Sequence, residues 1–205
     1  MAFPINDRKP ARTPSRKTGD ERWEELLDVS ARMFAQYGYA ATSLQQIADE
    51  LGILKGSFYY YIRSKSDLLF EVIRSVYWDG LERFQAYSKE EGTGLEVLER
   101  AIIGHAAFLV EHLTATTVYL HEFERLEPEQ REKLTGHDFR QLMSDLIRRG
   151  QDDGSVRADV DPTLSALAIV GSINWIYRWY RSGSRAPEEI GREFARIYVR
   201  GLTAH

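Results

Sequence analysis

Between Lys55 and Ile62 the chain reads KGSFYYYI, a run whose outward side chains suit the major groove of DNA. Burying three consecutive phenols would demand three hydrogen-bond partners in a small core, so some of Tyr59, Tyr60 and Tyr61 must face solvent. Lys55, Ser57 and Tyr59 are the candidates for groove contacts, with Thr42, Tyr60 and Lys65 around them to hold phosphates. A second constellation lies far along the chain. Asn174 and Arg178 are i,i+4 neighbours on one helical face, and Trp175 and Trp179 form an adjacent aromatic pair. A guanidinium fork engages phosphate or carboxylate, while an indole face stacks on adenine or covers an acyl chain. The plainer reading of these four is core or dimer packing for the tryptophans and solvated charge for the arginines.

The first constellation needs two short helices at a fixed angle. Leu44, Ile47, Ala48 and Leu51 recur at helical spacing. Ser43 with Gln46 three residues on reads as a capping box at the start of that helix. Gly52 supplies the left-handed turn that ends it, and the next helix spans about 55–62. A tight turn between two helices, the second displaying Lys, Ser and Tyr, is the helix-turn-helix arrangement. A preceding helix over about 20–37 buries Leu26, Leu27, Ala31, Phe34 and Ala35. Ser64 caps a following helix that runs to about 88. Further helices are expected at about 95–112, 116–125, 128–151, 161–182 and 187–203, with Pro128, Pro162 and Pro187 near helix starts. The fold class is all-α with about nine helices. Residues 1–19 form a disordered basic arm, 20–65 the DNA-binding domain and 66–205 the effector-binding and dimerisation domain.

Charge is uneven. The chain carries −4 overall, yet residues 1–65 hold 10 basic and 8 acidic side chains, and Arg8 to Lys17 holds five basic and none acidic. Phosphate contacts depend on local charge, so an acidic body with a basic end remains compatible with nucleic acid. There is no cysteine, which excludes disulfides, thiolate metal sites and cysteine nucleophiles. No apolar run reaches the roughly 18 residues of a membrane span, and no signal-peptide core is present, so a cytoplasmic protein is expected. His105, His112 and His121, with Glu122 or Glu124, could ligate a divalent metal. Scattered helical histidines are more often packing residues, and no metal or cofactor is expected. Without a phosphate-cradling loop or an activated serine, an enzyme is not expected either.

Ile47-Ala48, Gly52, Gly56-Ser57, Phe58-Tyr59 and Ser64-Lys65 with Leu68 resemble the N-terminal signature of the TetR family of one-component transcriptional regulators. Leu54 departs from the Ser or Thr usual there, Ile62 from a common Phe and Ser66 from a common Glu. The resemblance implies a dimeric repressor on a palindromic operator, released when an effector shifts the fourth helix and changes the spacing of the two recognition helices.

From Leu164 to Tyr180 apolar residues lie on nearly every side, so this helix is expected to be buried all round. One face can pack on its own core while another meets a second copy, which gives a four-helix homodimer interface. Ile169, Ile173, Phe194 and Ile197 are the candidates for it. The segment 173–181, INWIYRWYR, is also similar to a subgroup of TetR regulators, the FadR-type repressors that respond to acyl-coenzyme A in fatty-acid and steroid degradation. His121-Glu-Phe-Glu-Arg-Leu126 resembles the same subgroup. This second resemblance implies an acyl-CoA effector among the aromatics of the fifth to eighth helices, with Glu124, Asn174, Trp175, Arg178, Trp179 and Arg181 around it. A regulator sensing another hydrophobic compound such as a drug, and a helical ligand-binding protein with no DNA role, remain the alternatives.

Overall fold

The computed structural model describes residues 19–135 and 139–204, leaving aside the side chains of Lys55, Ser57 and Thr135. The basic arm, all but Gly19, and His137 and Asp138 lie outside the described residues. The described residues form eleven α-helical segments and one 3-10 turn, and the helix expected over 161–182 is divided at Trp175. The first four are α1 (Gly19–Tyr37), α2 (Leu44–Glu50), α3 (Lys55–Phe58) and α4 (Lys65–Ser88). Next come α5 (Gly94–Glu111), α6 (Leu113–Glu122) with the 3-10 turn Phe123–Arg125, α7 (Pro128–Thr135) and α8 (Phe139–Asp152). The chain closes with α9 (Pro162–Asn174), α10 (Ile176–Trp179) and α11 (Pro187–Leu202). No single described helix is long and apolar enough to cross a membrane.

The caps explain where the helices begin. Gln46 N–H donates to Ser43 Oγ at 3.2 Å and Ser43 N–H to Gln46 Oε1 at 2.7 Å, so the expected capping box closes at α2. Gly52, at φ 64°, makes the left-handed turn that sends the chain from α2 towards α3. Ser64 Oγ accepts from Asp67 N–H at 3.0 Å to start α4. Asp161 caps α9 with Pro162 in its first turn. A second capping box, Thr93 with Glu96, starts α5.

Two corrections concern helix length. α3 is α-helical only over four residues, and a turn closed by Tyr61 N–H and Ile62 N–H on Phe58 O continues it. The helix expected over 161–182 breaks at Trp175, whose N–H bonds both Gly171 O and Ile173 O before α10 resumes. Ala35, expected on the buried side of α1, is exposed.

Packing forms two apolar clusters. One joins α5, α8, α9, α10 and α11 around Ile102, Ile147, Ile169 and Ile173. The other joins α1–α4 to α6 and α7 and runs without a break past residue 65. In it Phe34, Ile47 and Phe58 meet Leu68 and Ile73 of α4, Val118 of α6, and Leu126 and Leu134 near α7. α5 and α6 meet at 93° about His112. The C-terminus is tied down by an isolated antiparallel bridge between Val156 and Thr203.

Candidate effector cavity and nucleic-acid interface

α3 presents an exposed edge. Tyr60 is 87 % exposed, Tyr59 50 % and Leu54 80 %, while Phe58 beneath them is fully buried. The phenols of Tyr59 and Tyr60 are therefore on the surface, as the sequence required. Lys55 and Ser57 lie on α3 by backbone position, but their expected groove contacts lie outside the described side chains.

Thr42 and Lys65, expected to hold phosphates, both bond backbone carbonyls of the same domain. Thr42 is 2 % exposed, and its hydroxyl donates to Gly38 O at 2.9 Å. Lys65 Nζ donates to the carbonyls of Tyr39 (2.7 Å), Ala40 (3.3 Å) and Thr42 (2.8 Å), which occupies all three of its protons. The ammonium also lies 4.3 Å from the Tyr39 ring centroid. It staples the α1–α2 turn to the start of α4. Lys65→Ala should therefore lower stability by about 1–3 kcal/mol through stranded carbonyls. The salt slope of DNA binding should stay unchanged, where a lost phosphate contact would reduce it by about one unit. Thermal denaturation and a salt titration of binding separate the two.

A cavity of about 270 Å³ opens between the helices behind this domain. α4 contributes Val76 and Tyr77 to it, α5 contributes His105, Phe108 and Leu109, and α6 contributes Thr116 and Tyr119. Phe123, Leu134, Phe139, Arg140, Val170 and Asn174 complete the lining. His105 stacks on Phe139 with ring centroids 4.8 Å apart, and full burial pushes its pKa down to about 4, so the imidazole is neutral at pH 7. Its Nε2 and the Thr116 hydroxyl oxygen are buried without a hydrogen-bond partner. α6 also touches the DNA-reading end, since Glu122 Oε1 accepts from Tyr39 N–H at 3.4 Å.

Of the six residues expected around an effector, only Asn174 lines this cavity. Trp175 (58 % exposed) and Trp179 (43 %) face outward, and Arg178 lies 5.9 Å from the Trp175 ring centroid. Arg181 is exposed and donates to Tyr180 O, while Glu124 pairs with Arg131 at 2.8 Å. Arg140 of α8 is a lining cation that sequence reasoning missed. The three helical histidines lie against different rings: His105 on Phe139, His112 on Phe108, His121 on Tyr177.

Ile169 and Ile173 are 0 % exposed within the protomer's own core, so they have no surface to give a partner. The exposed apolar stripe is the next one round the helix: Leu164 (65 %), Leu167 (42 %) and Trp175, with Gly171 between them. Ile197 of α11 is 64 % exposed, whereas Phe194 is half-buried against the core. Tyr198 Oη bonds Ala168 O at 2.9 Å and locks α11 beside α9.

Comparison with known proteins places these features in context. Residues 26–72 match the family described as bacterial regulatory proteins, tetR family, and residues 91–202 match the tetracyclin repressor-like C-terminal domain. The HTH-type transcriptional repressor KstR2 of Rhodococcus jostii is 32 % identical over 203 residues, covering 95 % of this chain and 97 % of that protein. The structure of the ketosteroid transcriptional regulator KstR2 of Mycobacterium tuberculosis is 28 % identical with TM-score 0.80, covering 92 % of this chain and 98 % of that one. AibR, solved in complex with isovaleryl coenzyme A and operator DNA, is 26 % identical with TM-score 0.75, over 89 % of this chain and 98 % of AibR.

Proposed function

The chain belongs to the TetR family of bacterial regulatory proteins, and from that premise we propose a homodimeric repressor that leaves a palindromic operator when an acyl-coenzyme A thioester enters the cavity. Its role is regulatory, not enzymatic, and is exercised in the cytoplasm on genes of fatty-acid or steroid degradation. One observation carries the effector reading: a largely apolar cavity has a cation, Arg140, on its lining. A coenzyme A thioester joins a polyanionic nucleotide to an apolar tail, so its site must set cations beside an apolar chamber. The tail enters among Phe108, Phe123 and Phe139. The nucleotide stays outside, near Arg140 and the exposed Arg178. Support for this ligand class comes from AibR, whose structure holds isovaleryl coenzyme A, and for the gene class from the KstR2 relatives.

α4 is the element through which the effector acts on DNA. Val76 and Tyr77 line the cavity, while Leu68 and Leu69 of the same helix belong to the apolar cluster that holds Ile47 of α2 and Phe58 of α3. A ligand that pushes α4 moves the reading domain, and by linkage DNA must then weaken the effector by the same factor. Calorimetry should rank an acyl-CoA above its free acid and above free coenzyme A, and the thioester should release operator DNA. Arg140→Ala should weaken the thioester by about 1.5–3 kcal/mol, the worth of a charged hydrogen bond, and the free acid by less. Equal binding of acid and thioester overturns the coenzyme A assignment and leaves the repressor intact.

The dimer forms through the exposed stripe of Leu164, Leu167, Gly171 and Trp175 with Ile197, two helices from each copy. Leu167→Glu puts an unpaired charge in a dry interface, a penalty of several kcal/mol per ion. Light scattering should then find monomers, and operator binding should be lost with the second recognition helix. A stable dimer at micromolar concentration would place the interface elsewhere.

A further inference from the structure

We propose that the effector carries a neutral keto or hydroxy oxygen on its buried portion, and that this oxygen hydrogen-bonds to His105 Nε2 and Thr116 Oγ1. The inference rests on the effector reading above and narrows its ligand class. His105 stands on α5 and Thr116 on α6, on either side of the bend at His112, and both line the same cavity. Their exposures are 9 % and 7 %, and neither polar atom has a partner.

Water can serve these two atoms while the cavity is wet. A plain saturated tail would expel that water and return nothing, and each stranded group then costs about tenfold in affinity. A carbonyl oxygen accepts from the Nε2–H tautomer of His105 and from the Thr116 hydroxyl together, and a ligand hydroxyl serves either tautomer. A carboxylate does not fit, because the burial that keeps His105 neutral also disfavours a buried anion. The aromatic neighbours Phe108 and Phe139 would surround the rest of the tail with apolar surface.

Calorimetry on the full chain tests this with decanoyl-CoA and a series of oxodecanoyl-CoAs that differ in keto position, alongside the matching free acids. At least one keto isomer should bind about tenfold more tightly than decanoyl-CoA. That gap should close in Thr116→Val, which keeps side-chain shape, and in His105→Phe, which keeps a ring between Phe84 and Phe139; circular dichroism reports whether each variant is folded. The proposal is overturned if no isomer outbinds decanoyl-CoA, if none of the compounds binds, or if the gap survives in both folded variants. If free acids and thioesters bind alike but both show the keto preference and lose it in the variants, the oxygen anchor stands and the coenzyme A reading falls.

Discussion

Gly94→Ala is expected to cost the protein about 3 kcal/mol or more, at the upper end of overpacking penalties. A Cβ at this position would lie 2.1 Å from Gly150 N and 2.4 Å from Gly150 Cα, with the Arg149 carbonyl carbon at 2.7 Å. All three are backbone atoms, so no side chain can swing away and the start of α5 must part from the end of α8. That junction is also where polar ties concentrate. Gly94 N–H donates to Asp153 Oδ2 at 2.6 Å, Leu95 N–H to Ser155 Oγ at 3.2 Å, and Arg149 Nη2 to Gly92 O at 2.6 Å. Hydrogen bonds from Ser155 and from Gly94 N–H hold the Asp153 carboxyl below its usual range. Separating the helices breaks these along with the packing. Thermal unfolding followed by circular dichroism should show a fall of roughly 6–12 °C for a chain of this length. An unchanged melting temperature would mean that α5 and α8 can slide apart without loss.

The second large effect is on acid stability. His105 titrates near 4 in the folded protein and near 6.5 in the unfolded chain, because burial penalises the imidazolium. Between those values the unfolded chain binds a proton that the folded protein does not, so acidification favours unfolding. The stability tied to neutral His105 is fully present above pH 6.5 and is lost as pH falls to about 4. Its size is roughly 3 kcal/mol, since each tenfold change in proton affinity is worth about 1.4 kcal/mol. Denaturant titrations at pH 7 and pH 4.5 should show most of this loss in the wild-type protein. His105→Phe should remove it while leaving other acid effects in place. A variant with the same pH dependence as wild type would assign the loss to other groups.

Local signals in the sequence located what local physics decides. Ser43 with Gln46, Gly52 and Ser64 each predicted a cap or turn that the structure forms, because those bonds span only a few residues. The outward turn of Tyr59 and Tyr60 followed from the cost of burying phenols. What the sequence left open is what distant elements decide. Residue type could not show that the Lys65 ammonium meets the carbonyls of Tyr39, Ala40 and Thr42, which lie 23 to 26 residues back. Around α9, apolar residues on every side left open which stripe the chain's own α8 and α5 would cover. Ile169 and Ile173 fell inside, and Leu164 and Leu167 outside. No proline or glycine marks the break at Trp175, so the Asn174–Arg181 face was read as one surface. The cavity lining comes from six helices and the 3-10 turn, a convergence no spacing rule can express, although aromatics of this region were expected to house an apolar ligand.

The apolar cluster that runs from α1 to α7 bears on how such regulators can be recombined. A hybrid that grafts residues 19–64 onto another sensor would cut between Phe58 and the Leu68, Ile73, Val118 and Leu134 that close over its core. The graft would import a reading head with its underside missing. Transplanting α1–α4 together with the inward faces of α6 and α7 moves the buried cluster and keeps the Glu122–Tyr39 bond. In this chain, exchangeable specificity is therefore a property of a packing unit that is discontinuous in sequence, and a seam drawn along the chain alone would cross it.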